Sequence, residues 1–236
     1  AAIKRGLQML DEGADIIDVG GESTRPGHTP VDPKEEAERV VPVVRELLKA
    51  GALVSIDTRH AEVARMCVRL GVQIINDVSG FTDPEMVKVA ADSKCGCIVM
   101  HWNKEGLGAH VERKRVALDD SRPARPEAAR SLTSQRRFTL PEEAPIMRQI
   151  MGFLGDQARI LMRAGVSHDR ICIDPGPGFD KFSDEDIVIQ RATRSMVSMG
   201  YPLMCAVSRK RFVGAVSGVS MATDRDAATQ AICIAA

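Results

Sequence analysis

Six times along this 236-residue chain an amphipathic stretch gives way to a short, mainly apolar run without regular polar alternation. Helical spacing covers 1–12, 33–50, 60–70, 84–91, 144–164 and 184–199, and the short runs cover 15–19, 53–56, 73–75, 96–100, 170–173 and 202–207. Gly13, Gly51, Gly71, Gly165 and Gly200 follow five of the helical stretches, where a helix ends most cheaply. Strands that lack polar alternation are covered on both faces, as in a parallel sheet between helices. A last helical pattern begins near 221, so helices stand at both ends with no strand outside them. The pattern predicts an α/β chain, a TIM-type (β/α)8 barrel lacking its first and last strands. A doubly wound open sheet is the alternative, disfavoured because no Gly-rich dinucleotide fingerprint follows any strand. One domain over 1–236 is expected, interrupted by an irregular insertion at about 102–144 that is rich in Arg, Pro and Ser. Acidic residues interleave the positive charge there, which favours a solvated insertion over a basic arm or lid.

Lys+Arg and Asp+Glu balance at 32 each, so no field of one sign holds the molecule to nucleic acid or an anionic membrane. No apolar stretch reaches the roughly 18 residues of a membrane span, and no leader pattern opens the chain. The six cysteines form no CxxC or paired framework, which predicts reduced thiols and a cytoplasmic location.

Polar residues gather immediately after the predicted strands: Asp18-Val-Gly-Gly-Glu-Ser-Thr-Arg-Pro-Gly27, Asp57-Thr-Arg59, Asn76-Asp-Val-Ser-Gly80, Met100-His101, Asp174-Pro-Gly-Pro-Gly-Phe-Asp-Lys181 and Ser208-Arg-Lys-Arg-Phe-Val-Gly214. In a barrel all six would meet on one rim, where such folds carry their sites. Asp57, Asn76 and Asp174 would sit deep in the mouth, and a buried carboxylate needs hydrogen-bond donors. A flat heterocycle presenting an amide N–H beside an exocyclic amine supplies two parallel ones, and pterin has that edge. The competing reading of Asp57 is a cap for the next helix. Ser23, Thr24 and Arg25, among Gly20, Gly21 and Gly27, suit a phosphate, and Lys210 follows the seventh barrel strand, in the rim sector that favours phosphates. His101, without a second ligand at metal spacing, reads as a packed or hydrogen-bonded histidine. His28, His60, His110 and His168 read as loop or helix-surface residues. No nucleophile elbow or Cys–His pair suggests covalent catalysis.

The ordered set of Asp18–Gly27, Ser55-Ile-Asp-Thr58, Ile75-Asn-Asp77, Asp174-Pro-Gly176 and Ser208-Arg-Lys210 resembles the dihydropteroate synthases, along nearly the whole chain apart from 102–144. The resemblance implies condensation of 6-hydroxymethyl-7,8-dihydropterin pyrophosphate with p-aminobenzoate, giving 7,8-dihydropteroate and pyrophosphate, assisted by Mg²⁺. It implies that Asp57, Asn76 and Asp174 hold the pterin edge, with Met100 and Phe179 near the ring. Lys210 would reach the pterin and the amine, and Ser208 would join the substrate-binding set. Thr24 and Arg25 would grip the pyrophosphate, with Lys210, Arg25 and Thr24 as the catalytic group, and Pro26 and Phe179 would wall the p-aminobenzoate pocket. No metal ligand falls within the chain; the Mg²⁺ ligand would lie on the missing first strand. A homodimer is expected by analogy with similar barrels.

The chain departs from that pattern at Pro177 and at Asp180, where the family often has an aliphatic or aromatic residue and a glycine, and at Ala206, where glycine is common. Without the first and last strands, a gap between the terminal helices is expected, and this stretch expressed alone is expected to be poorly stable and inactive. Two rivals are a methyltetrahydrofolate–corrinoid methyltransferase, which has no use for Ser23-Thr-Arg-Pro26, and a catalytically silent pterin-binding paralogue.

Overall fold

The computed structural model describes residues 1–23, 29–102 and 140–236. These divide into two compact units, the first made of Ala1–Met100 with Leu154–Ile173, the second of the described parts of His101–Phe153 with Asp174–Ala236. The elements run α1 (Ala2–Asp11), β1 (Ile16–Gly20), α2 (Pro33–Lys49), β2 (Leu53–Asp57), α3 (Ala61–Leu70), β3 (Ile74–Asp77), α4 (Pro84–Asp92), β4 (Gly96–Met100), α5 (Pro145–Arg163), β5 (Ile171–Asp174), α6 (Ser183–Arg191), α7 (Thr193–Val197), α8 (Arg211–Ser217) and α9 (Asp226–Ala235). The strands form one sheet in the order β1-β2-β3-β4-β5. The pairings β1–β2, β2–β3 and β3–β4 are parallel. Strictly consecutive order is that of a barrel wall, whereas an open doubly wound sheet reverses order at a switch point.

Local sequence explains where the helices of the first unit begin and end. Asp32 caps α2 by accepting the Lys34 N–H at 2.9 Å, with Pro33 in the first turn and Lys49 in the last. Asp83 does the same for α4 through Glu85 N–H at 2.9 Å, again followed by a proline. Gly71 closes α3 at φ 104°. Val54, Ile56, Ile75 and Val99 on the strands and Val44, Leu47 and Val63 on the helices are fully buried between sheet and helices. The opposite face of the same strands carries Ile16, Asp18 and Gly20 in register with Leu53, Ser55 and Asp57. Alternation along a strand sends one set to the core and leaves the other for a site.

The second unit departs from the sequence reading. The helix expected over 184–199 is two, α6 and α7, parted at Ala192. The strand expected over 202–207 is reduced to a single bridge at Leu203, because a run is a strand only where a neighbour takes its backbone groups along several residues. The loop expected after it contains α8, whose Phe212 and Val213 join Val207 in a small core against Ile187, Ala228 and Ile232. The last helical stretch begins with a 3₁₀ turn, Ala222–Asp224, before α9. All six cysteines are free thiols, and no helix among the described residues is long and apolar enough to cross a membrane.

Gly21 is a glycine of necessity: a Cβ there would stand 2.8 Å from Glu36 Cγ and 2.9 Å from Val40 Cγ1 on α2. Gly152, exposed in α5, would meet nothing within 4 Å. Gly21→Ala is therefore expected to cost about 1–3 kcal/mol by overpacking. Gly152→Ala is expected to add about 0.5–1 kcal/mol through helix propensity. Urea midpoints at constant slope measure both, and equal midpoints for the two variants would contradict this account of the β1–α2 contact.

Candidate active site

On the first unit, the ends of β1, β2 and β3 bring together a group of carboxylates. Asp57, the last residue of β2, is paired in register with Asn76 on one side and Gly20 on the other. A Cβ at Gly20 would lie 3.2 Å from Asp57 Oδ2, so this glycine leaves room for the carboxylate. Asn76 Nδ2 donates to Asp18 at 3.3 and 3.4 Å. Burial raises the Asp57 carboxyl to about 8, helped by the charges of Asp18, Glu36, Asp77 and Glu22. Burial also raises Asp18, against hydrogen bonds from Ser55 and Asn76 that lower it. Asp57 caps nothing: the N-cap of α3 is His60, and it is Thr58 Oγ1 that accepts the His60 N–H. Buried Asp77 spends its carboxylate on the Ser79 and Phe81 N–H groups at 2.7 and 2.8 Å, holding a turn where Phe81 has φ 58°. Met100 ends β4 and is buried.

The Asp18–Gly27 motif is braced at its near end. Glu22 takes a two-pronged bond from Arg59, Nε to Oε2 at 2.8 Å and Nη2 to Oε1 at 2.9 Å, and accepts the Val31 N–H at 3.0 Å. Burial pushes the Glu22 carboxyl up, but the Arg59 and Val31 contacts outweigh it and leave it below the usual range. Residues 22 and 31 are thereby tied to each other and to the start of α3. His60, expected at the surface, is instead half-buried with Nδ1 2.5 Å from Oε2 of the fully buried Glu36. The expected phosphate and wall residues Thr24, Arg25 and Pro26 lie outside the described residues.

On the second unit, the segment after β5 turns back on itself around two lysines. Asp174 is buried and accepts the Gly176 N–H at 2.7 Å, while its backbone carbonyl accepts the His101 N–H at 2.9 Å. Burial raises its carboxyl, opposed by that N–H and by the charges of Lys210 and Lys181. Lys181 is also buried and gives its three ammonium protons to the carbonyls of Gly176, His101 and Phe179 at 2.7, 3.0 and 3.2 Å. Burial brings it down to about 8, with Asp186 and Asp174 holding it up. Asp186, raised by burial to about 7, accepts the Gly178 N–H at 2.6 Å. Lys210 Nζ donates to Pro177 O at 2.5 Å and sits 5.0 Å from the Phe179 ring centroid. Its chain crosses Gly178, where φ is 81° and a Cβ would approach Lys210 Cδ to 3.3 Å. Burial lowers Lys210, against Asp174 and Asp186, which raise it. Ser208 is exposed beside it.

Two residues of this unit hold left-handed backbone without being glycine: Asp180 at φ 51° precedes Lys181, and Arg209 at φ 55° precedes Lys210. Each is tied by its own side chain, Asp180 to Trp102 Nε1 at 2.6 Å and Arg209 to both oxygens of Asp226 at 2.5 and 2.6 Å. Behind them, buried Arg225 donates to the carbonyls of Arg209, Val219 and Ser220, and a Cβ at Gly214 would lie 2.6 Å from its Nε. His101 is the packed histidine expected: it meets Phe153 edge-on at 5.3 Å, and burial, then the Lys181 charge, lowers it to about 3, so it stays neutral.

The structure thus groups Asp57 with Asn76 on one unit, and Asp174, Phe179 and Lys210 on the other. Sequence reasoning assigned no role to Asp18, Lys181, Asp186 or Trp102. The polar Asp-Lys pair at 180–181 between glycines and a helix start was the available signal for Lys181; the others are recruited from far along the chain.

A family model described as pterin binding enzyme matches residues 1–236. The dihydropteroate synthase of Staphylococcus haemolyticus is 37% identical over 235 residues, taking in 99% of this chain and 75% of that protein. Among solved structures, dihydropteroate synthase from Thermus thermophilus in complex with 4-aminobenzoate superposes with a TM-score of 0.77 at 33% identity, over 100% of this chain and 79% of that one. The Anaplasma phagocytophilum enzyme with bound 6-hydroxymethylpterin-monophosphate gives 0.77 at 30%, over 98% and 81%. With strands in consecutive order, carboxylates at the ends of β2, β3 and β5, and a lysine-bound turn after the fifth, the chain belongs to the pterin binding enzyme family, among the dihydropteroate synthases.

Proposed function

We propose that the chain catalyses the dihydropteroate synthase reaction: the amine of p-aminobenzoate attacks the methylene of 6-hydroxymethyl-7,8-dihydropterin pyrophosphate, a C–N bond forms, the C–O bond to pyrophosphate breaks, and the amine gives up one proton. The observation that carries this reading is the turn at Asp174, where a buried carboxylate with one oxygen on Gly176 N–H stands in the field of two lysines, next to an aromatic ring. Such a carboxylate is matched by the donor edge of a pterin, and the Lys210 ammonium above Phe179 by an arylamine acid. A (β/α)8 barrel is the architecture we infer for the whole.

In this reading Asp57, Asn76 and Asp174 take the pterin's donors, Met100 and Phe179 lie near its ring, and Ser208 and Lys210 serve the arylamine. Thr24 and Arg25 hold the pyrophosphate, and Pro26 lines the arylamine pocket with Phe179. Magnesium is expected from the resemblance, and among the described residues no group of three histidine, cysteine or acidic side chains is placed to hold it. Asp174, and Asp57 in its ionised form, stabilise positive charge shared by the pterin as pyrophosphate leaves, and the amine attacks last. Heavy-atom isotope effects at the methylene test that order: strong bonding to the nucleophile in the transition state would refute it.

The intact gene is expected to restore growth of a folate-auxotrophic strain lacking this enzyme. Lys210→Ala and Asp174→Ala are each expected to abolish rescue and to lower dihydropteroate formation at least about a hundredfold, the scale of losing an electrostatic contact in the transition state. Wild-type protein that folds yet releases no pyrophosphate would end the proposal in favour of a silent paralogue.

The same carboxylates set function against stability. A carboxyl raised from 3.8 to about 8 keeps its proton in the folded protein while the unfolded chain releases it, so stability falls as pH rises from about 4 to about 8. Asp57→Asn removes that dependence. The variant is expected to melt about 2–6 °C above the parent at pH 9 and level with it near pH 4, while losing pterin affinity. A melting temperature lower than the parent's at pH 9 would show that the Asp57 carboxylate is stabilising.

A further inference from the structure

Asp180 occupies the backbone region that suits glycine, at φ 51°. An L-residue there is strained, and such strain persists only where neighbouring contacts hold it. The holding contact is the indole: Trp102 Nε1 donates to Asp180 Oδ2 at 2.6 Å across 78 residues of sequence. The indole does more than satisfy the carboxylate. Its ring meets Phe179 at 5.7 Å between centroids and 68° between planes, while the Lys210 ammonium faces that same phenyl ring at 5.0 Å. Phe179 is thus gripped from two sides, by a cation over its face and by an indole whose own angle is set by Asp180. The phenyl backbone is fixed too, since its carbonyl accepts from Lys181 at 3.2 Å.

From this we infer that Trp102 and Asp180 are a positioning pair that fixes the tilt of Phe179 and so sets the preference for a flat, para-substituted arylamine. The inference rests on the reading of Phe179 and Lys210 as the arylamine side of the site. Neither Trp102 nor Asp180 touches the reacting atoms in this view; they act through Phe179. A ring held at one angle accepts a planar aromatic partner in one orientation, and that orientation presents the amine for attack. Released from the indole, Phe179 would still be present but free to rotate, and the arylamine would bind in several poses.

The discriminating variant is Asp180→Gly. It relieves the left-handed strain, so a purely structural role for Asp180 predicts an enzyme as good as the parent or better. The positioning role predicts an arylamine KM about five- to tenfold higher, with the pterin pyrophosphate KM and kcat each within about twofold. Trp102→Phe, which keeps a ring but loses the N–H, is expected to move the arylamine KM in the same direction. Asp180→Asn, whose amide oxygen still accepts the indole proton, is expected to stay within about twofold of the parent. Trp102 is the single tryptophan of the chain, so a shifted indole emission in Asp180→Gly confirms that the bond is gone. Arylamine KM values within twofold of the parent in both Asp180→Gly and Trp102→Phe, or a parallel rise for both substrates, would overturn the inference while leaving the proposed activity standing. A parent enzyme that forms no dihydropteroate would instead overturn the activity itself.

Discussion

Parallel register is the constraint on which the first unit's chemistry depends. Because Asp18 faces Ser55 and Asp57 faces Asn76, polar side chains of three strands share a face, and their alternating neighbours Ile17, Val19, Val54, Ile56 and Ile75 share the core. A slip of one residue on any strand would send carboxylates into the hydrophobic layer and isoleucines toward the site. The hydrophobic face therefore enforces an arrangement that electrostatics alone opposes, since Asp57 has four acidic neighbours raising its pKa. Core packing supplies what it takes to hold mutually repelling groups together.

The second unit solves a similar problem with cations and backbone. Lys181 and Lys210 between them collect carbonyls from Gly176, Pro177, Phe179 and His101, so a turn rich in proline and glycine keeps one shape without regular secondary structure. A buried ammonium needs such partners, and a turn with inward carbonyls needs such an ammonium. Asp186 completes the arrangement from α6 by taking Gly178 N–H.

Periodicity carries the fold as far as neighbours repeat locally. Every expected strand of the first unit is present, each shifted by no more than one or two residues, because two-sided burial writes an apolar run into the sequence. At 202–207 the same apolar signal yields only a bridge at Leu203, since the signal reports burial and not a hydrogen-bonding partner. Asp57, Asn76 and Asp174 are legible because they stand at or next to strand ends, and Lys210 because it follows an apolar run just before a helix. Trp102 with Asp180, and Glu36 with His60, are not, because nothing local in either residue announces a partner 78 or 24 positions away. His60 in particular reads as a helix start on the surface until the buried carboxylate beneath it is seen.

Arg225 has a consequence that reaches beyond its own turn. Its guanidinium hangs the carbonyls of Arg209, Val219 and Ser220 on one planar fork, and the fork lies against the bare Cα of Gly214. The peptide it suspends is the one that aims the adjacent Lys210. A methyl group at 214 would lever the fork outward and shift the peptide before Lys210, so drift at an inconspicuous helical glycine would reach the ammonium above the Phe179 ring.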